Sequence, residues 1–353
     1  MRTELAFSTG DLAHTRFAVS PMWEVVTSFR VLAGPSVPEP HRPWAEQVLP
    51  RLRAAGLDRG RLARLVPATG YLADFLTPTP ATPFPTLEAE LAAIRATSAE
   101  QARRDLAVLA AERTRQGPGH PAVKRDPGDP AAGRPRRGSG GPAVVPSRRD
   151  PAEDLDRVTA EIETYWELAL APYWARIRAT LEADVFHRAR QVAEYGAAHL
   201  LNDLHASVSW GDDTLRLVRR HCTVTREHAG PGLVLLPSVF SWPHVLTRVA
   251  ASEPLQIAYP ARGFGSVWER RVGADADAMA AVLGRSRALL LAELESPAST
   301  TQLARRSGLS AAGVSQHLTV LRDAGLVTAH RAGRSVLYAR TAVADSLLAA
   351  APA

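Results

Sequence analysis

Cysteine is nearly missing from this chain. Cys222 is the only one in 353 residues, so no disulfide can close within the chain and no thiolate cluster can hold a metal. There is no apolar run of about 18 residues, which excludes an apolar membrane-spanning helix. Met1–Gly10 lacks the apolar stretch of a secretory signal. The phosphate-cradling GxxxxGK[ST] loop, the GxGxxG turn after a strand, the GxSxG elbow and the HExxH pair are absent too. These absences predict a cytoplasmic protein, at the nucleoid if it binds DNA, that is not an enzyme: no catalytic residue, no cofactor, no bound metal and no membrane partner.

What is present is enough apolar material for a core, 46% of residues, and an uneven charge. The net charge is +6. Eight basic residues against Asp126 and Asp129 fall between Arg115 and Arg149, and eight arginines against Glu293, Glu295 and Asp323 fall between Arg285 and Arg340. The remainder is therefore mildly acidic. Positive charge confined to one loop and one small segment is the footprint of a nucleic-acid module.

Ser20-Pro21 reads as a helix start, with a hydroxyl cap and proline in the first turn. Met22, Val25, Val26, Phe29 and Leu32 then form one helical stripe. Shorter helical patterns cover Trp44–Leu52 and Arg59–Val66, and Thr77–Pro85 breaks structure. Leu87–Arg113 returns to helix, with Ser98 and Gln101 spaced as a capping box. Residues 115–149 are rich in Pro, Gly, Arg and Ser and poor in large apolar side chains, so they are expected to be a disordered basic insertion. Helix resumes at Pro151, pauses near Pro172 and continues to about His205. Leu215–Val218, Leu233–Leu236 and Leu255–Tyr259 read as strands of a small antiparallel sheet, and Ala276–Leu283 as a short connecting helix.

The C-terminal segment carries the functional signal. Arg285–Leu294 is helical. Ser299-Thr300-Thr301-Gln302 is a capping box opening a second helix that ends at Gly308, with Leu303 and Ala304 inward. Ser310 caps a third helix whose core stripe is Val314, Leu318 and Leu321. Two strand-like runs, Leu326–His330 and Val336–Arg340, flank a glycine turn. Three helices and a basic-tipped hairpin make a winged helix-turn-helix, whose third helix fits a major groove about 12 Å wide. Ala312, Ser315, Gln316 and Thr319 face outward, flanked by His317. Arg331, Arg334 and Ser335 sit at the hairpin tip, where charge suits phosphates.

The stretch Gly284–Arg340 resembles the ArsR family of winged-helix repressors. The telling residues are Val314-Ser315-Gln316-His317-Leu318 and the exit Leu321-Arg322-Asp323-Ala324-Gly325-Leu326-Val327. The resemblance implies Ser315, Gln316 and His317 as recognition-helix contacts, and a homodimer. Ala311-Ala312-Gly313 departs from the Gln-Pro/Ala-Thr type often seen there. The preceding region is similar to an uncharacterised N-terminal domain found before ArsR-type modules, through Phe17–Glu24, Pro172-Tyr173-Trp174 and His187–Arg190.

These readings give a mainly α fold class with small antiparallel β. Its expected domains are 1–114 and 150–275 of an α+β regulatory module, the 115–149 insertion, a winged helix-turn-helix at 276–345 and a tail at 346–353. Double-stranded DNA is the expected partner, bound at an inverted repeat, with release by a small-molecule effector. Trp166, Trp174, Trp210, Trp242 and Tyr259 are candidates to line an effector pocket, although such rings also serve as core. His199 and Asp203 share a helical face, but two donors are too few to specify a metal. An architectural DNA binder without effector, or a metal-dependent enzyme with accessory DNA binding, are the alternatives.

Overall fold

The computed structural model describes residues 2–6, 9–116, 151–211, 214–218, 231–250, 253–268, 276–294, 297–332 and 335–350. Residues 117–149 of the expected basic insertion, Cys222 and the hairpin-tip Arg334 lie outside the described residues, whereas Arg115 and Gln116, expected to begin that insertion, are helical. The N-terminal region runs β1 (Arg2–Ala6), α1 (Thr9–Ala13), β2 (Thr15–Phe17), α2 (Pro21–Ala33), α3 (Arg42–Ala54), α4 (Arg61–Leu65), α5 (Leu87–Arg95) and α6 (Ala99–Gln116). It continues with α7 (Pro151–Ala169), α8 (Trp174–Tyr195), α9 (Ala197–Leu204), β3 (Val208–Gly211), β4 (Thr214–Val218), β5 (Leu233–Ser238), β6 (Leu246–Arg248) and β7 (Leu255–Pro260). The C-terminal region is α10 (Ala276–Leu283), α11 (Arg285–Glu293), β8 (Ala298–Ser299), α12 (Thr300–Ser307), α13 (Ala311–Asp323), β9 (Val327–Ala332), β10 (Ser335–Arg340) and α14 (Ala342–Ala350).

Local chemistry sets several of these boundaries. Ser20 caps α2 by accepting from the Trp23 amide, with Pro21 in the first turn. The expected helix over Leu87–Arg113 is two helices, and Ser98 accepts from the Gln101 amide where the second begins. Gly196, at φ 85°, parts α8 from α9. The chain is mainly α-helical, with small sheets.

The strand runs do not form one antiparallel sheet. β4 pairs antiparallel with β1 and β3. β5 instead lies parallel to both β2 and β7, with β6 antiparallel on the far edge of β7. The reason is burial on both faces. All six residues of β5 are buried, as suits a central parallel strand. Val234 and Leu236 enter a large helical core with α2, α3 and α7, whereas Leu233 and Leu235 enter a second core with Leu200, Leu204, Leu215 and Leu217.

A third core holds the C-terminal region together. Residues 346–353, expected as a tail, are helical as far as Ala350. Ala344 and Leu348 of α14 are buried in that core, which draws the segment onto the domain.

Buried polar groups tie α2 to its surroundings. Glu90 accepts from the Ser20 hydroxyl (2.6 Å) and the Met22 amide (2.8 Å). Trp23 donates its indole N–H to Gln256 (2.8 Å). Glu24 is fully buried beside the start of the loop after β5, where the Val239 amide donates to it at 3.2 Å. Burial pushes its carboxyl up to about 8, against the opposing pull of hydrogen bonds from Ser238 and Val239. The folded chain thus holds this proton more tightly than the unfolded chain. The associated stability is complete below about pH 4.5 and is lost as pH rises through about 8. Glu24→Gln should flatten the decline of the melting temperature between about pH 5 and 8. Thermal melts across that range check this, and a wild-type profile without such a decline would contradict it.

Candidate nucleic-acid interface

In the C-terminal domain α12 and α13 are set by their caps. Ser299 accepts from the Gln302 amide (3.3 Å), while the Gln302 side chain accepts from the Ser299 amide (2.8 Å). This reciprocal pair satisfies two otherwise orphaned donors. α12 ends at Gly308 in the left-handed conformation, φ 71°, where a side chain would add strain. Ser310 then caps α13 by accepting from the Gly313 amide (3.1 Å). The two helices pack on each other and on α11.

Burial along α13 splits cleanly. Val314, Leu318 and Leu321 are within about 1% of full burial. Ala312, Ser315, Gln316 and Thr319 are exposed, and His317 is half-buried between the two faces. The Thr319 hydroxyl donates back to the Ser315 carbonyl (3.0 Å), so it has less to offer a partner than Ser315 or Gln316. Ser310, exposed, already spends its oxygen on the cap. β9 and β10 pair antiparallel with Ser335 opposite Ala332. Arg331 and Ser335 are exposed near the tip.

Reading the sequence missed three exposed arginines of this domain: Arg305 and Arg306 in the last turn of α12 and Arg322 in that of α13. The signal was present in the positive balance of the segment. Arg340 does other work. It sits 3.0 Å from Asp345 and reaches the Leu291 carbonyl, tying β10 to α14 and α11.

The hairpin also meets the N-terminal region. β9 packs on α7, and both β9 and β10 pack on the 3-10 turn Ala171–Tyr173 that links α7 to α8. His330 of β9 lies 3.7 Å from Glu167 of α7. Burial lowers the His330 pKa, with the Glu167 charge pulling the other way.

The five candidate pocket aromatics are not gathered in one place. Trp166 and Trp174 pack edge to face at 4.9 Å beside the large core. Trp210 lies in β3, its backbone clasped by Asn202. Tyr259 is fully buried and donates to Asp184 (2.7 Å). Only Trp242 of the five lines the cavity of about 660 Å³ between α2 and the loop after β5. His199 packs on Tyr195, and Asp203 is bonded by Arg188 and Gln191. No cluster of three metal-ligating side chains occurs among the described residues, nor is any of their helices long and apolar enough to cross a membrane.

Comparison with known proteins places both regions. Residues 1–265 match a family of unknown function, DUF5937. The chain belongs to that family. Residues 286–329 of this DUF5937 protein match the bacterial regulatory proteins of the arsR family, and its C-terminal domain is an ArsR-family helix-turn-helix. It is 41% identical over 64 residues to the HTH-type transcriptional regulator NmtR of Mycobacterium tuberculosis, which covers 18% of this chain and 53% of that protein. The DUF5937 chain thus spans about half the length of that relative. No solved structure matches it.

Because Leu318 is wholly buried at the centre of the third core, Leu318→Ala should destabilise that domain by about 2–5 kcal/mol. Arg322→Ala on the exposed face should change it by less than about 0.5 kcal/mol. Chemical denaturation of the two variants checks the pair, and equal effects would contradict the assignment of faces.

Proposed function

We propose that this protein is a transcriptional repressor that binds an inverted-repeat DNA site as a homodimer and is released by a small-molecule effector. The observation that carries the reading is the split of α13. Its aliphatic ridge is withdrawn from water, so a short polar surface led by Ser315 and Gln316 is presented beside an exposed Arg331. In this reading α13 enters the major groove. Ser315, Gln316 and His317 address base edges, Ala312 and Thr319 make close contact, and Ser310, Arg331, Arg334 and Ser335 meet phosphates. Arg305, Arg306 and Arg322 add to the positive field. Repression follows from the likeness to the ArsR family.

Dimerisation is supported by apolar side chains that the monomer leaves in water. Val343 and Leu347 lie one turn apart on α14, on a face adjacent to the buried Ala344 and Leu348, and Val282 and Leu289 are exposed on α10 and α11. A second copy would cover them and set two α13 helices about one DNA turn, roughly 34 Å, apart.

A footprint of the full chain on DNA around its own gene tests the first part. Gln316→Ala or His317→Ala should weaken the specific site by about 1–3 kcal/mol. Arg331→Ala should weaken all sequences alike and lower the salt slope by about one. A footprint indifferent to all three changes, or none at all, would remove this reading. The double variant Val343→Asp with Leu347→Asp should sediment at the monomer mass and lose operator affinity. A wild-type chain that already sediments as a monomer would contradict the dimer.

A further inference from the structure

The cavity of about 660 Å³ lies beyond the carboxyl end of β5, where open sheets with parallel strands commonly bind ligands. One wall is α2, with Trp23, Thr27 and Arg30. Another is the loop after β5, with Phe240, Ser241 and Trp242. A third is the segment around Tyr71 and Asp74. The chemistry of these walls is specific.

Two observations point to a ligand. Ser241 is only 5% exposed, yet its hydroxyl has no hydrogen-bond partner among the described residues. Leaving a buried hydroxyl unpaired is unfavourable, and this one lines the cavity. Trp242 leaves 41% of its surface in solvent at the same cavity while its ring stacks on Phe264 at 5.7 Å. That open face is available to a flat molecule, whereas Phe240 and Trp23 are buried within the wall.

Charge selects the class. Both arginines of the wall are committed. Arg30 donates to the carbonyls of Pro67 (2.9 Å) and Gly70. Arg248 pairs with Glu253 (2.6 Å) and donates to the Asp74 carbonyl (3.1 Å). Against these two cations stand Asp74 and Glu112 at the wall, with Asp105 and Glu253 behind them. Glu112 and Asp105 accept from the Tyr71 and Phe75 amides (2.7 and 2.9 Å). Among the described residues Asp74 makes no ion pair, although Tyr71 bonds its side chain. Burial, with the Asp105 charge, pushes its carboxyl up to about 6 against the pull of Arg248 and Tyr71. His205 at the rim has both ring nitrogens engaged, with Ser207 (2.7 Å) and the Pro243 carbonyl (3.2 Å). A cation placed against Asp74 relieves this excess of negative charge, and an anion aggravates it.

We infer that this cavity is a binding site for a cationic aromatic amine, with its ring against Trp242, its ammonium toward Asp74 and a polar group on the Ser241 hydroxyl. That such a ligand is the effector rests on the repressor reading; that the cavity binds it does not.

Isothermal titration of the DNA-free full chain with 2-(1-naphthyl)ethylamine and with 1-naphthylacetate tests the site. The two probes share a ring and differ in charge. The amine should saturate at one per chain and bind about tenfold or more tighter than the acid, as a buried charge contact implies. Asp74→Asn should erase that preference, and Ser241→Leu should abolish both titrations. Equal affinities, a preference that survives Asp74→Asn, or no saturable heat would overturn the inference. If circular dichroism shows either variant unfolded, Trp242→Ala at the exposed rim serves instead. It should weaken the amine about threefold or more, and an unchanged affinity would overturn the site. A footprint without either probe reads the repressor proposal separately, so the two fail independently.

Discussion

Strand β5 is withdrawn from water on both faces, and much of the N-terminal region is arranged around that condition. Leu233 and Leu235 need one apolar layer, and Val234 and Leu236 another. Neither layer alone would suffice. The helices α2, α3 and α7 supply the first, and α9 with the β1–β4–β3 sheet supplies the second. The parallel neighbours β2 and β7 satisfy the backbone of β5. Because β5 ends among buried groups, the loop that follows it is also held. Glu24 accepts from the Val239 amide, and Phe240 packs on Trp44 at 4.6 Å.

The same loop brings the cavity into contact with a chain of rings. Phe240 lies 5.9 Å from Trp268, and Trp268 lies 5.5 Å from Tyr173. Tyr173 belongs to the 3-10 turn on which β9 and β10 rest. One continuous packed path therefore runs from the cavity wall to the hairpin of the helix-turn-helix. Close packing transmits displacement because it leaves little room for independent adjustment. The Glu167–His330 contact adds a polar link at the same boundary.

The C-terminal domain was almost wholly legible. Its caps, the Gly308 turn and the Val314–Leu318–Leu321 ridge are local signals, each decided within a few residues. Only α14 and the two-residue β8 escaped, since α14 is recruited through Ala344 and Leu348 rather than by a cap. The N-terminal helices were legible for the same reason, with errors at breaks such as that between α5 and α6. The sheets were less so. An apolar run such as Leu233–Leu236 shows that a strand is buried, but not which strand lies beside it.

The sequence alone determined the identity of the elements, the placement of positive charge and the two faces of α13, because periodicity and capping act over one or two helical turns. Tertiary structure decided the parallel pairing of β5 with β7 and the separation of the five candidate aromatics. It also decided the meeting of Trp23, Asp74 and Ser241 around one cavity. Those groups come from segments far apart in the chain, which only tertiary packing and contacts such as Arg248 to the Asp74 carbonyl bring together.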